Sequence, residues 1–288
     1  MNKVYEVSSF TIQGQGGNLA GVKILKEEET PSDSFMQQLS QKLNYSETVF
    51  VKRLNQEVFQ LRYFTPLAEV PLCGHATIAA FSLLKQLNQL EAGNYFIETK
   101  AGRLALQILD DATIYMEQSL PIFYSEQPDM RGIAESLGLE SGDIVSGFPI
   151  EIVSTGLKDL IIPVKNTAIL HNLVPDFDAI STISKKLAII GYHVFAANED
   201  WQQPIQCRNF APFVGIDEEY ATGTSNGALA CYLFKKNQRK GNQKYNFLQG
   251  RQSKKQQGQI LVELKAAENR IRHVYVGGKA VLKRTLSI

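Results

Sequence analysis

The chain has 288 residues, enough for two ordinary domains or one large one, and its 44% hydrophobic and 20% charged content suits a globular protein that buries its own core without disulfide or metal. Lys and Arg number 30 against 29 Asp and Glu, a formal charge of +1 that argues against a dedicated nucleic-acid binder. Cys73, Cys207 and Cys231 form neither a secreted disulfide framework nor a CxxC zinc pair, and the chain shows no apolar signal segment or membrane-length apolar run, so a cytoplasmic protein is expected.

The predicted elements come in one order, twice. The first half opens with β-rich runs at 4–10 and 20–25. Ser32 is a candidate N-cap for a helix with Phe35, Met36, Leu39 and Leu43 on one face. Strands follow at 48–52 and 58–64, then an apolar helix at 76–87 and strands at 95–99, 103–109 and 113–118. The second half gives strands at 151–154 and 160–164, then a helix at 176–187 behind Pro175, with Phe177, Ile180, Ile183 and Leu187 as its stripe. Strands at 188–195 and 205–210, an apolar helix at 225–236, and strands near 260–264, 273–276 and 279–282 complete it.

Matching elements lie about 145 residues apart, as from Arg62 to Arg208. Arg62-Tyr63-Phe64-Thr65-Pro66 is matched by Arg208-Asn209-Phe210-Ala211-Pro212, and Ala-Thr follows each copy, at Ala76-Thr77 and Ala221-Thr222. Internal duplication accounts for the repetition. Both apolar helices are nonpolar nearly all round, so each needs burial on every side. The expected fold class is α+β, two domains that each roll a sheet around a central helix.

The central helices start in small-residue turns, Cys73-Gly74-His75-Ala76-Thr77 and Ala221-Thr222-Gly223-Thr224-Ser225. Helix N-termini carry unpaired N–H groups and partial positive charge, so two such ends facing a cleft would grip a carboxylate or phosphate. The same residues also make ordinary N-caps. His75, beside the positive helix end, is expected to keep a low pKa and stay neutral near pH 7, unless it is a satisfied structural histidine. His171, His193 and His273 have no comparable setting. Glu47 lies at a helix-to-strand junction, where exposed glutamates are commonplace, and Glu219 precedes the second turn, where a carboxylate also makes a good cap. The run Gly14-Gln15-Gly16-Gly17-Asn18 leads into a strand, so it reads as a tight connection and not as a dinucleotide loop. From Lys235 to Lys255 there are eight basic residues and no acidic one, either a solvated stretch or a patch that steers an anionic ligand.

At these motifs the sequence resembles the PhzF family, the phenazine-biosynthesis-like proteins of the diaminopimelate-epimerase superfamily. The resemblance rests on Phe10-Thr11, Gly17-Asn18-Leu19-Ala20-Gly21-Val22, Ser46-Glu47-Thr48-Val49-Phe50 and Arg62-Tyr63-Phe64-Thr65-Pro66. It continues through Glu69-Val70-Pro71-Leu72-Cys73-Gly74-His75-Ala76-Thr77, Arg208-Asn209-Phe210-Ala211-Pro212, Ala221-Thr222-Gly223-Thr224, Gln249-Gly250 and Val276-Gly277-Gly278. It implies a diaminopimelate epimerase-like fold, with 1–118 plus 277–288 as one domain, 119–276 as the other, and a site in the cleft. It also implies Glu47 as general acid/base assisted by His75, with Glu219 in the catalytic set. Asn18, Ser46, Gly74, Gly223 and Thr224 bind substrate in this reading. No metal or organic cofactor is implied, nor any nucleic-acid or membrane partner, and a homodimer is expected. Two departures matter. Where the family has E-D-P-A-T-G, this chain has Glu218-Glu219-Tyr220-Ala221-Thr222-Gly223, which lengthens one carboxylate arm and adds a ring. Cys73 matches the first thiol of the epimerase branch, but the second turn has no cysteine, which argues against a two-thiol racemase.

The expected function is a cofactor-independent isomerase that moves a proton on a small carboxylate-containing metabolite. A buried Glu47 with a raised pKa would be its base. The alternatives are an amino-acid epimerase or racemase with a second, non-thiol base, and a noncatalytic small-metabolite binding protein.

Overall fold

Strands that are apolar on both faces need cover on both faces. Thr48-Val49-Phe50-Val51 is such a strand, and all four residues are buried. A computed structural model describes residues 3–126, 128–197, 204–251 and 257–287. Its first elements are β1 (Lys3–Ser9), β2 (Asn18–Leu25), α1 (Asp33–Leu43), β3 (Glu47–Arg53), β4 (Val58–Phe64), β5 (Glu69–Val70) and α2 (Gly74–Gln86). Then come β6 (Gly93–Thr99), β7 (Gly102–Ile108), β8 (Ile114–Gln118), β9 (Ile122–Phe123), α3 (Met130–Ser136), β10 (Glu151–Ser154), β11 (Lys158–Val164), α4 (Thr167–His171) and α5 (Phe177–Leu187). The rest are β12 (Gly191–Ala196), β13 (Ile205–Ala211), β14 (Ile216–Glu219), α6 (Gly223–Lys236), β15 (Gln243–Gly250), β16 (Gln257–Ala267), β17 (Arg270–Gly278) and β18 (Ala280–Ser287). The fold is α+β. The chain divides into two compact units, one of residues 1–117 with 277–288 and one of residues 118–276.

In the first unit, β1 pairs antiparallel with β2, β2 parallel with β3, β3 antiparallel with β4, β4 parallel with β6, and β6 antiparallel with β7. In the second, β10, β11, β12, β13, β15 and β16 pair in that order with the same alternation of senses. The short β5 and β14 each hang antiparallel on β4 and β13. The duplication is thus present in the ladder itself.

Each sheet has a helix on either face. Alternation along β4 turns Tyr63 toward α2, where its hydroxyl meets Thr77 Oγ1 at 2.7 Å. It turns Phe64 the other way, into a cluster with Val4, Met36, Leu39 and Phe50 beneath α1. Helix α2 is buried at every position from His75 to Leu84 and packs on β1, β2, β3 and β18. In the second unit α6 is buried from Ser225 to Phe234 and packs on β10, β11, β15 and β16. The opposite face carries α3, α4 and α5 over Leu160, Ile162, Tyr192 and Val194.

The recurring R-x-F-x-P turns out to be a structural device. The Arg62 guanidinium forks onto Glu69 at 2.8 and 2.6 Å and lies over the Phe64 ring. Arg208 forks onto Glu218 at 2.8 and 2.9 Å and lies over Phe210. The Ala-Thr match, by contrast, is out of register. Ala76 and Thr77 lie inside α2, whereas Ala221 and Thr222 precede α6. The equivalent residues are Thr77 and Asn226, whose side chains reach back to Cys73 O at 2.7 Å and Thr222 O at 2.8 Å.

Helices α2 and α6 each begin two residues before the predicted start, which places Gly74, His75, Gly223 and Thr224 in their first turns. The short α3 and α4 had no sequence signal long enough to read as helices. The glycine run before β2 is a tight connection, with Gly14, Gly16 and Gly17 at positive φ. Only glycine fits at Gly17, because a Cβ there would lie 2.0 Å from Ser9 O.

Candidate active site

Four helices carry a side-chain N-cap. Ser32, Asp129, Asn166 and Asp176 accept from first-turn N–H groups of α1, α3, α4 and α5. The two central helices do not. Cys73 before α2 and Thr222 before α6 make no side-chain cap bond. Neither small-residue turn is thus a side-chain N-cap, and the partial positive charge at both helix starts is not met by a capping side chain.

At the α2 end, Glu47 is the first residue of β3, held by its parallel pairing with Ala20. Its Oε2 lies 3.1 Å from His75 Nε2. That oxygen is buried and makes no aligned hydrogen bond, so the contact is an ion pair. Ser46 Oγ lies 3.4 Å from the same ring nitrogen and 3.3 Å from Leu19 O. Ser9 Oγ donates to His75 O at 2.6 Å and fixes the backbone there. Cys73 Sγ sits 3.5 Å from His75 Nδ1. Asn18 opens β2 opposite Ser9. A Cβ on Gly74 would touch only Met116 Cε, at 3.6 Å, so packing does not require a glycine there.

The protonation states differ from those expected from sequence. Burial opposes the charge on His75, but the neighbouring Cys73 and the Glu47 carboxylate hold its pKa well above the ordinary value. We place the main cause in Glu47, the formal charge 3.1 Å away. His75 is therefore cationic, not neutral, because a carboxylate 28 positions earlier in the chain outweighs the helix end. Burial alone would raise Glu47, as expected, but the His75 charge and the polar contacts of His75 and Ser46 bring it below the ordinary glutamate value.

At the α6 end, Thr222 Oγ1 donates to Glu219 Oε2 at 2.6 Å. Gln249 braces the turn. Its Oε1 accepts from Thr222 N at 3.0 Å and Asn226 Nδ2 at 2.7 Å, and its Nε2 donates to Glu219 O at 2.7 Å. Thr155 Oγ1 donates to Thr224 O at 3.0 Å. Gly223 and Thr224 are half-buried. Beneath them Asp159, 2% exposed, accepts from Ser225 Oγ at 2.9 Å. Burial raises Asp159, the Ser225 bond lowers it, and the Glu219 charge raises it, to about 7 in balance.

The structure thus gathers Glu47, His75 and Ser46 at one helix end, and Glu219, Gly223 and Thr224 at the other. Sequence reasoning missed Ser9, Asp159 and Ser225, and gave no role to Gln249 or to Cys73 beside His75. Gln249, Cys73 and Ser225 lay within quoted motifs, whereas Ser9 and Asp159 carried no signal. The basic stretch is largely paired by carboxylates from other elements. Lys235 and Lys236 meet Glu151, Lys244 meets Glu263 and Arg251 meets Glu218. Lys254 and Lys255 lie outside the described residues. Among the described residues no helix is long and apolar enough to cross a membrane.

Residues 7–285 match the family model of the phenazine biosynthesis-like proteins. An uncharacterized isomerase of Clostridium acetobutylicum is 37% identical over 238 residues, covering 80% of this chain and 78% of its own. An uncharacterized isomerase of Deinococcus radiodurans is 33% identical, covering 99% and 94%. The crystal structure of a PhzF-family protein of Bacillus anthracis superposes with a TM-score of 0.88 at 25% identity, over 100% of this chain and 98% of that one. The chain belongs to the phenazine biosynthesis-like family. By class it is an isomerase, as its named relatives are.

Proposed function

We propose that the chain moves a proton on a small carboxylate-bearing metabolite without an organic cofactor, with Glu47 as the acid/base. The observation that carries this is a buried carboxylate oxygen of Glu47 3.1 Å from the His75 imidazole at an uncapped helix start. Glu47 takes a proton from a carbon made acidic by a conjugated or carboxylate neighbour, then returns it at another position. Backbone donors at Gly74 and His75 hold the substrate's negative charge. An arriving substrate carboxylate competes for the charge of His75. That releases Glu47 from its ion pair and raises its pKa toward the working range. Asn18 and Ser46 position the substrate, and Glu219 acts through its hold on Thr222.

The test is solvent exchange. Small carboxylates that raise the melting temperature are incubated with the protein in deuterated water and followed by NMR. The expected result is deuterium at a carbon position, slowed about 10²–10⁴-fold in Glu47→Gln with the fold intact. Undiminished exchange by a folded Glu47→Gln protein overturns the assignment.

A further inference from the structure

The cluster at the start of α2 has a second capacity. A carboxylate oxygen, a thiol sulfur and an imidazole nitrogen, from Glu47, Cys73 and His75, lie within 4.8 Å of one another. His75 Nε2 is 3.1 Å from Glu47 Oε2 and 3.9 Å from Cys73 Sγ. Donors around a tetrahedral zinc, with Zn–S about 2.3 Å and Zn–N or Zn–O about 2.0–2.2 Å, stand about 3.3–3.6 Å apart. The two Nε2 spacings lie on either side of that range, and the Cys73 sulfur, 3.5 Å from Nδ1, turns toward Nε2 for the three donors to share one ion.

Three other features favour the ion. The donors are pre-positioned, because Cys73 O anchors Thr77, Ser9 fixes the His75 carbonyl, and Glu47 is locked in a parallel ladder. Glu47 Oε2 is buried and meets the His75 ring without an aligned hydrogen bond, so an ion could take that ring's place beside it. The donor set also supplies charge to a dication, from a carboxylate and a thiol that binds as thiolate. A thiolate, imidazole and carboxylate set suits zinc and not magnesium or calcium, and three protein donors leave a fourth position open.

We propose that Glu47, Cys73 and His75 bind Zn2+, and that the bound ion inhibits the protein reversibly by occupying the acid/base. The ion is an inhibitor and not a cofactor. The inhibitory half rests on the role given to Glu47 above, and the binding half does not.

Co2+ is the spectroscopic probe. The full chain, stripped with chelator and kept reduced, is titrated with Co2+ without oxygen. The expected result is one ion per chain, with a thiolate-to-cobalt charge-transfer band in the near ultraviolet and visible bands of tetrahedral intensity, both erased by one equivalent of Zn2+. Cys73→Ser, close in shape, loses the charge-transfer band while melting near the parent temperature. His75→Ala weakens binding by more than about a hundredfold. Cys231→Ala, in the α6 core, keeps the spectrum. Absence of the charge-transfer band, or its survival in Cys73→Ser, overturns the site. Intact spectra with deuterium exchange unaffected by Zn2+ overturn the inhibition and leave binding standing. Exchange that Zn2+ stops and chelator restores supports both halves.

Discussion

At the scale of single residues, Asp159 and Gly74 separate folding from function. A buried acid whose folded pKa is about 7, against 3.8 for an unperturbed aspartate, binds its proton more tightly when folded. Its contribution to stability is therefore complete below pH 3.8 and lost as the pH rises through about 7. The cost at pH 8 is on the order of a few kcal/mol. We expect Asp159→Asn, measured by urea midpoints from pH 4 to 8, to flatten that slope and to exceed the parent at pH 8. Parallel curves would refute the raised acid. Gly74→Ala meets only Met116 at 3.6 Å. It should leave stability unchanged or improve it by about 0.4–1 kcal/mol. Ligand-induced melting shifts with small carboxylates should nonetheless shrink if the backbone at Gly74 holds the substrate charge as proposed, because the added methyl would intrude there. Equal shifts would remove Gly74 from the binding set.

At the scale of elements, the duplicated arginine forks differ in burial. Arg208 and Glu218 are 3% and 7% exposed, Arg62 and Glu69 25% and 11%. Glu218→Gln leaves a buried guanidinium without its charge partner and is expected to cost about 3–5 kcal/mol in chemical denaturation. Glu69→Gln, whose arginine also reaches Asp33, should cost less than half as much. Equal losses would mean that burial does not set the difference. These forks show what could be read in advance. The motif R-x-F-x-P was visible because it is contiguous. Its carboxylate partners were not, because Glu69 follows Arg62 by seven positions and Glu218 follows Arg208 by ten, the 3-10 turn Pro212–Val214 lengthening the second connection. The strands and both central helices were legible from hydrophobic period, and their starts erred where glycine and histidine open a helix without a cap. Glu47, His75 and Gly74 were legible as motif residues. The sign of the His75 shift was not, since it depends on a carboxylate delivered by another element.

At the scale of the whole molecule, the first unit is made of both ends of the described chain. Strand β18 pairs with β1 from Lys3 with Ser287 to Ser9 with Ala280. Ala280 O also accepts from Ser82 and Gln86 of α2. Removal of residues 277–287 is expected to melt the first unit while the second, continuous over 118–276, keeps its protection in hydrogen exchange. Uniform loss of protection would show that the two units fold as one. The repeat of elements made two halves readable from sequence. That the last strand completes the first half came from the resemblance alone, since no local pattern says which β-rich run pairs with which.

That last strand also sets an order of events during synthesis. Residues 118–276 have all their strands on the chain before β18 exists, so the second unit can settle first. The half that bears Glu47 and His75, although translated earlier, waits for its final strand until residue 287 has been made. A nascent chain therefore carries the Glu47 carboxylate, the Cys73 thiol and the His75 imidazole in a frame that stays unfinished until β18 has been made.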